Sequence, residues 1–315
     1  GSVSEQAFNR YPDPYQSELK KKIGELKQVL PTNIFLGNGS DEAIDLLFRA
    51  FCRPGLDNVI IMPPTYGMYE VSAGINDIAT KKVPLSTSFE IEVGEVLAAV
   101  DEYTKIIFIC SPNNPSGNKI PRQSIYQILT NFDGLVVIDE AYIDFSDEPS
   151  FSLELNHYPN MLVMQTLSKA WGLAALRLGM AYASKEIIGI LNKIKPPYNI
   201  SGLTQETVLN ALSNTKLLED MVKEILVQKE KLILALEEIP EVEKVYPSAA
   251  NFLLAKVPHA SQVYQKLIEE KIIVRDRSKV QRCEDCLRIT VGNEEENKQF
   301  IQALKEVLQV HTKTT

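Results

Sequence analysis

Five short apolar runs, each closed by a turn rich in Gly, Pro, Asn or Asp, constrain this chain more than any other feature. Asn33–Leu36 (NIFL), Val59–Met62 (VIIM), Lys105–Cys110 (KIIFIC), Leu135–Asp139 (LVVID) and Met161–Thr166 (MLVMQT) are largely β-branched and almost free of polar residues. Runs of this length and kind read as strands buried on both faces. Helical patterns lie between them. From Asp41 onward Ala43, Ile44, Leu46, Leu47, Ala50 and Phe51 share one face, and Arg122–Phe132 forms a second pattern. Strands alternating with helices predict an α/β architecture: a mostly parallel sheet covered on both sides. After Lys195-Pro196-Pro197, Ser201–Glu238 turns helical and charged, which predicts a long helix or a helix pair linking two domains. Beyond it, strands over Asn251–Val257, Ile272–Arg275 and Leu287–Val291, with helices over Ala260–Glu270 and Glu294–Gln309, predict a smaller α+β C-terminal domain. The expected division is an arm over 1–26, a large domain over 27–220 and a small one over 221–315.

Composition narrows the function classes. The 315 residues carry a net charge of −8, which argues against nucleic acid as the main partner. Small anionic ligands are compatible with it, because a site needs only a few local arginines. No run approaches the roughly 18 consecutive apolar residues of a membrane span. No basic-then-apolar leader opens the sequence, so a cytoplasmic protein is expected. Gly1-Ser2 reads as a tag-cleavage remnant and is set aside. Among the four cysteines, Cys110 sits in an apolar run and reads as core. Cys283 and Cys286 form a C-x-x-C, but a structural zinc site takes four ligands, and no second pair or His-x-x-x-His lies nearby. Two reduced thiols ahead of a strand, and no metal, are the expectation.

In an open α/β sheet, ligands gather at the carboxyl ends of the strands, so the residues that follow each run are the candidate site. After the first run comes Gly37-Asn38-Gly39-Ser40-Asp41-Glu42 and then a helix. Glycines permit a tight turn and a helix N-terminus suits phosphate, although the same residues serve an ordinary Asp-capped helix. After the second, Pro63-Pro64-Thr65-Tyr66-Gly67-Met68-Tyr69 offers Tyr66, able to stack on a planar ring or to pack in the core. After the third, the prolines and glycine of Ser111–Gly117 stiffen a loop around Asn114, an amide that can be aimed. The fourth run ends in Asp139-Glu140-Ala141-Tyr142. A carboxylate closing an apolar strand needs a cation or strong donors, and a protonated pyridinium is one such partner. The fifth leads into Thr166-Leu167-Ser168-Lys169, with Arg177 eight positions beyond Lys169. A partly desolvated lysine has a depressed pKa and forms Schiff bases readily. Singly, Lys169 is equally a surface lysine and Arg177 a surface ion pair. Together the five strand ends supply phosphate donors, a ring stacker, an aimed amide, an acid and a lysine.

The order G-S-D-E, P-T-Y-G-M-Y, S-P-N-N-P-S-G, D-E-A-Y, T-L-S-K-A-W-G-L-A-A-L-R-L-G and L-R-I-T-V-G resembles fold-type-I aminotransferases, from about Asn9 to the C-terminus. Asn9-Arg10-Tyr11-Pro12, Arg275-Asp276 and Cys286–Gly292 resemble the histidinol-phosphate aminotransferase subfamily. The resemblance implies a fold-type-I transferase that works with pyridoxal 5′-phosphate. It implies that Lys169 holds the cofactor and moves the proton between substrate Cα and cofactor C4′, and that Asp139 keeps the ring nitrogen protonated. By the same likeness Tyr142 and Asn114 bond the ring's O3′ and Tyr66 stacks on the ring. Ser40, Asp41 (through its backbone N–H), Thr166, Ser168 and Arg177 hold the phosphate. Tyr11 reaches the cofactor of a partner subunit, in a homodimer whose active site is shared. Arg288 grips the substrate's anionic end, and Arg275 is a second candidate or else a rim salt bridge.

The reaction implied is transfer of an amino group from L-histidinol phosphate to 2-oxoglutarate, giving imidazole-acetol phosphate and L-glutamate, a step of histidine biosynthesis. Aminotransferases for aromatic or other amino acids share the motif set, as do decarboxylases of phosphorylated amino acids such as threonine phosphate. A regulatory module that binds the cofactor silently would carry a basic helix-turn-helix, and no such pattern occurs in this sequence. Family members carry an L-N-x-N-E-N-P segment that covers the substrate, and the sequence begins after it. Cofactor binding is expected to stand without that segment, while closure over substrate draws on it.

Overall fold

The computed structural model of the chain describes residues 9–312; Gly1, Ser2 and the first part of the expected arm lie outside the described residues. Seven strands form the main sheet: β1 (Ile34–Asn38), β2 (Asn58–Ile61), β3 (Ala79–Lys82), β4 (Thr104–Cys110), β5 (Leu135–Asp139), β6 (Met161–Thr166) and β7 (Leu178–Ala183). Their order across the sheet is β1-β7-β6-β5-β4-β2-β3. The pairs among β2 to β6 are parallel, while β7 runs antiparallel to both of its neighbours, β1 and β6.

The five predicted apolar runs are strands within this sheet. Two further strands are not among the predicted ones, for different physical reasons. β3 (ATKK) is a partly exposed edge strand whose lysines discourage pairing with other chains, so it has no apolar run to read. β7 (LGMAYA) is fully buried, but glycine and alanine give it little strand propensity. Successive residues of β4 go to opposite layers: Ile107 and Ile109 join one apolar cluster, Ile106, Phe108 and Cys110 the other. That alternation is what a sheet covered on both faces requires. Truncating a fully enclosed side chain here, such as Phe108→Ala, costs about 3–5 kcal/mol.

A second sheet follows, with strands β8 (Lys244–Val245), β9 (Phe252–Lys256), β10 (Arg275–Asp276) and β11 (Cys286–Thr290) in the order β10-β11-β9-β8, all antiparallel. The strand predicted over Ile272–Arg275 needs correction. The Ile272 N–H donates back to the Leu267 carbonyl at 2.8 Å and Lys271 has φ 61°, so this stretch closes the preceding helix. Only Arg275 and Asp276 pair with β11. The predicted helical stretch is a pair, Gly202–Leu212 and Thr215–Glu237, and the 220/221 division falls inside the second helix. Cys283 and Cys286 are buried free thiols, and burial pushes them up to about 12 and about 11. No cluster of three or more His, Cys, Asp or Glu suited to a metal occurs among the described residues. No helix among them is long and apolar enough to cross a membrane.

Candidate active site

The parallel strands of the main sheet end at one edge, and a cavity of about 620 Å³ opens there. Its wall takes Ser40 and Asp41 after β1, Tyr66 after β2, Asn114 after β4 and Asp139 and Tyr142 at the end of β5. Thr166, Ser168 and Lys169 come from the end of β6, and the small sheet adds Arg275, Arg277 and Arg288. Twelve of the thirteen residues singled out from sequence line this cavity; the thirteenth, Tyr11, is 79% exposed and stacks on Tyr198 with ring centroids 4.4 Å apart.

Because β7 is reversed, its first residue rather than its last lies at the site edge, which brings Arg177 beside the β1 turn. The Gly39 N–H donates to the Arg177 carbonyl at 2.7 Å. Gly39 has φ 78°, a conformation that favours glycine, and a Cβ there would lie 2.6 Å from Arg177 Nη2, so a larger residue would also push the guanidinium aside. A Cβ on Gly179 would overlap the Gly39–Ser40 backbone. The turn therefore sits close against β7, with the N-terminus of helix Ser40–Phe51 and the Arg177 guanidinium at one place. Free backbone N–H groups, a positive helix end and a forked cation make an oxyanion cradle. Arg177 Nη2 stands 3.6 Å from Asp41 Oδ2, and Tyr66 donates its hydroxyl to Asp41 Oδ1 at 3.1 Å. The Ser168 N–H donates to Thr166 Oγ1 at 3.1 Å, fixing the start of the loop that carries Lys169.

Asp139 is buried, and both of its oxygens have donors. Tyr69 donates its hydroxyl to Oδ2 at 2.6 Å, and the Ala141 N–H donates to Oδ1 at 3.0 Å. Burial raises its pKa, and these two bonds together with Lys169 act against that rise. Lys169 faces the cavity, with Nζ 5.4 Å from the Tyr142 ring centroid. Its pKa is lowered, first by desolvation and then by the cations Arg288 and Arg177, with Asp139 and Asp41 opposing. A lysine held in that way is in its neutral, nucleophilic form more of the time at neutral pH than one in water. Arg288 Nη1 donates to Asn114 Oδ1 at 2.6 Å, and its guanidinium lies 5.0 Å from the Phe252 ring centroid.

A profile for aminotransferase class I and II matches residues 2–304. The chain belongs to the class I and II aminotransferases. The histidinol-phosphate aminotransferase of Cytophaga hutchinsonii is 55% identical over 97% of this aminotransferase and 88% of its own length. That of Parabacteroides distasonis is 55% identical over 95% and 87%. Among solved structures, the histidinol-phosphate aminotransferase from Clostridium acetobutylicum superposes with a TM-score of 0.88 at 25% identity, covering 96% and 91%. The Sinorhizobium meliloti enzyme in complex with pyridoxal 5′-phosphate gives 0.86 at 22% identity over 96% and 84%, a likeness of fold.

Pyridoxal phosphate is the cofactor of this aminotransferase. The cavity suits it in donor chemistry: an amine of lowered pKa, a buried carboxylate, an aromatic face and an oxyanion cradle closed by a glycine.

Two wall and support residues carry no assignment from sequence. Tyr69 stands within the P-T-Y-G-M-Y motif, and its place three residues after Tyr66 is the signal that a second ring lies alongside. It is completely buried, meets Tyr66 edge-on at 5.5 Å and stacks on Phe108 at 4.7 Å. Arg277, two residues after Arg275, is a cavity residue that a period-two count would have found.

Proposed function

We propose that this aminotransferase passes the amino group of L-histidinol phosphate to 2-oxoglutarate, as a homodimer in the cytoplasm. Its products are then imidazole-acetol phosphate and L-glutamate. The observation that carries the reading is the 55% identity, over nearly the whole chain, with relatives that bear the histidinol-phosphate aminotransferase name. The cavity's chemistry supports it, since β10 and β11 bring arginines to a site that already has its own phosphate cradle. Four buried free thiols fit a reducing compartment.

When bound, pyridoxal phosphate supplies an aldehyde that bonds to amines and a ring that takes up the electron pair left at the substrate carbon. Lys169 Nζ is the group for that aldehyde and, once displaced, the base that carries the proton from substrate Cα. Asp139, aimed by Tyr69 and Ala141, holds the ring nitrogen's proton. Tyr66 stacks on the ring, and Tyr142 and Asn114 bond its O3′. Ser40, the Asp41 backbone N–H, Thr166, Ser168 and Arg177 hold the phosphate, because a carboxylate from Asp41 would repel it. Arg288, with Arg275, takes the substrate's anion. Tyr11 is exposed and does not line its own chain's cavity, which fits service to a partner's site.

Half-reactions followed by cofactor absorbance decide the substrate. Histidinol phosphate should convert the cofactor to its amino form faster than phenylalanine or threonine phosphate. Release of CO₂ from threonine phosphate, with no need for a keto acid, would overturn the assignment.

A further inference from the structure

Pleating sends alternate strand residues to the same face. Arg275 and Arg277 therefore share a face, and Arg288 lies directly across from Arg275 in the β10–β11 register. The Arg277 N–H continues the ladder by donating to the Cys286 carbonyl at 2.9 Å. Asp276, between the two arginines, takes the other face: its carboxylate accepts from Ser261 Oγ at 2.7 Å and from the Ser278 N–H at 2.8 Å. Three guanidiniums thus meet at one end of the cavity, and none of them has a carboxylate within ion-pair distance among the described residues. Arg277 and Arg288 each keep a buried Nε with no acceptor. The positive charges of both arginines also act on the Tyr142 hydroxyl, so they converge on the reacting part of the site.

Like charges held together and half-desolvated are unfavourable unless an anion joins them, and buried donors without acceptors are unfavourable as well. A single carboxylate saturates one forked guanidinium; a phosphomonoester dianion has three terminal oxygens and twice the charge.

We propose that Arg277 is a substrate-specificity residue: it supplies the additional guanidinium with which the site prefers a phosphomonoester dianion over a carboxylate. The inference rests on the amino-donor reading above and extends it to a residue outside the strand-end set. Arg277 approaches the anion from the small sheet beside Arg288, while Arg177 serves the cofactor's phosphate.

The test compares holoenzyme of the native sequence with Arg277→Gln and Arg277→Lys in three measurements: the half-reaction with histidinol phosphate, the half-reaction with glutamate, and inhibition of the glutamate half-reaction by inorganic phosphate. Arg277→Gln should raise the half-saturating concentration of histidinol phosphate and the phosphate inhibition constant by about tenfold or more, equivalent to about 1.4 kcal/mol. The limiting rate should fall by far less, the glutamate half-saturation should move several-fold less, and Arg277→Lys should recover part of the loss. An unaltered cofactor absorbance spectrum shows that the variants are folded and loaded. Equal loss for glutamate and histidinol phosphate, or no change in phosphate inhibition, overturns the proposal. If the native enzyme ignores histidinol phosphate, the amino-donor reading falls by itself, and the phosphate inhibition constant still decides the role of Arg277.

Discussion

Replacing Tyr69 by phenylalanine removes one hydroxyl and leaves its ring to stack on Phe108. That hydroxyl gives Asp139 Oδ2 a 2.6 Å bond in a fully buried setting. A bond to a charged group contributes about 1.5–3 kcal/mol. Loss of the bond lifts the Asp139 pKa further above its ordinary value, in the direction burial has already moved it. The sign follows from which form is stabilised. The hydroxyl favours the carboxylate, so its contribution is present where Asp139 is ionised and fades as pH falls through the folded-state pKa. Tyr69→Phe should therefore destabilise the protein by about 2 kcal/mol at neutral pH, and the deficit should shrink in acid. The acid limb of the kcat profile should move to higher pH. Urea denaturation at several pH values, beside a pH–rate series, measures both. A stability loss that is independent of pH, with the acid limb unmoved, would refute the reasoning and leave Tyr69 as packing only.

Lys169→Ala should abolish both the long-wavelength absorbance of the holoenzyme and amino transfer, while urea denaturation shows a fold that is retained; a variant that keeps that band refutes the assignment. Arg177→Ala should weaken cofactor affinity by about tenfold or more, read by titration of the apoenzyme, because its fork closes the cradle at Gly39. Arg288→Ala should raise the half-saturating concentration of anionic amino donors by about tenfold to a hundredfold, with a smaller effect on cofactor affinity. Equal loss of both would contradict its role.

What could be read from sequence tracks how each group earns its place. β5 and β6 announce themselves because both faces are covered, which demands unbroken apolar runs, and a polar residue at the end of such a run stands out. Asp139 and Lys169 are legible for that reason. β3 is hidden because an edge strand needs no apolar face, and β7 because its small residues answer to close approach by the Gly39–Ser40 turn rather than to strand propensity. Tyr69 escapes because a buried tyrosine looks like any core ring until the distance to Asp139 is known. Arg277 escapes because the strand expected there ends at Arg275, two residues short of it. The position of Tyr11, stacked on Tyr198 and away from its own cavity, belongs to no local pattern at all.

The reversed strand has a further consequence. β6 ends at Thr166 and β7 begins at Leu178, and the two are tied across by the Thr166–Gly179 pairing. Lys169 and Arg177 both belong to the loop between them, so the amine and the guanidinium that this cavity offers come from a single hairpin. Such a frame works as a calliper: the separation of its two strand ends is set by a hydrogen-bonded ladder. A ligand that reaches both groups is gauged by its length as well as by its charge.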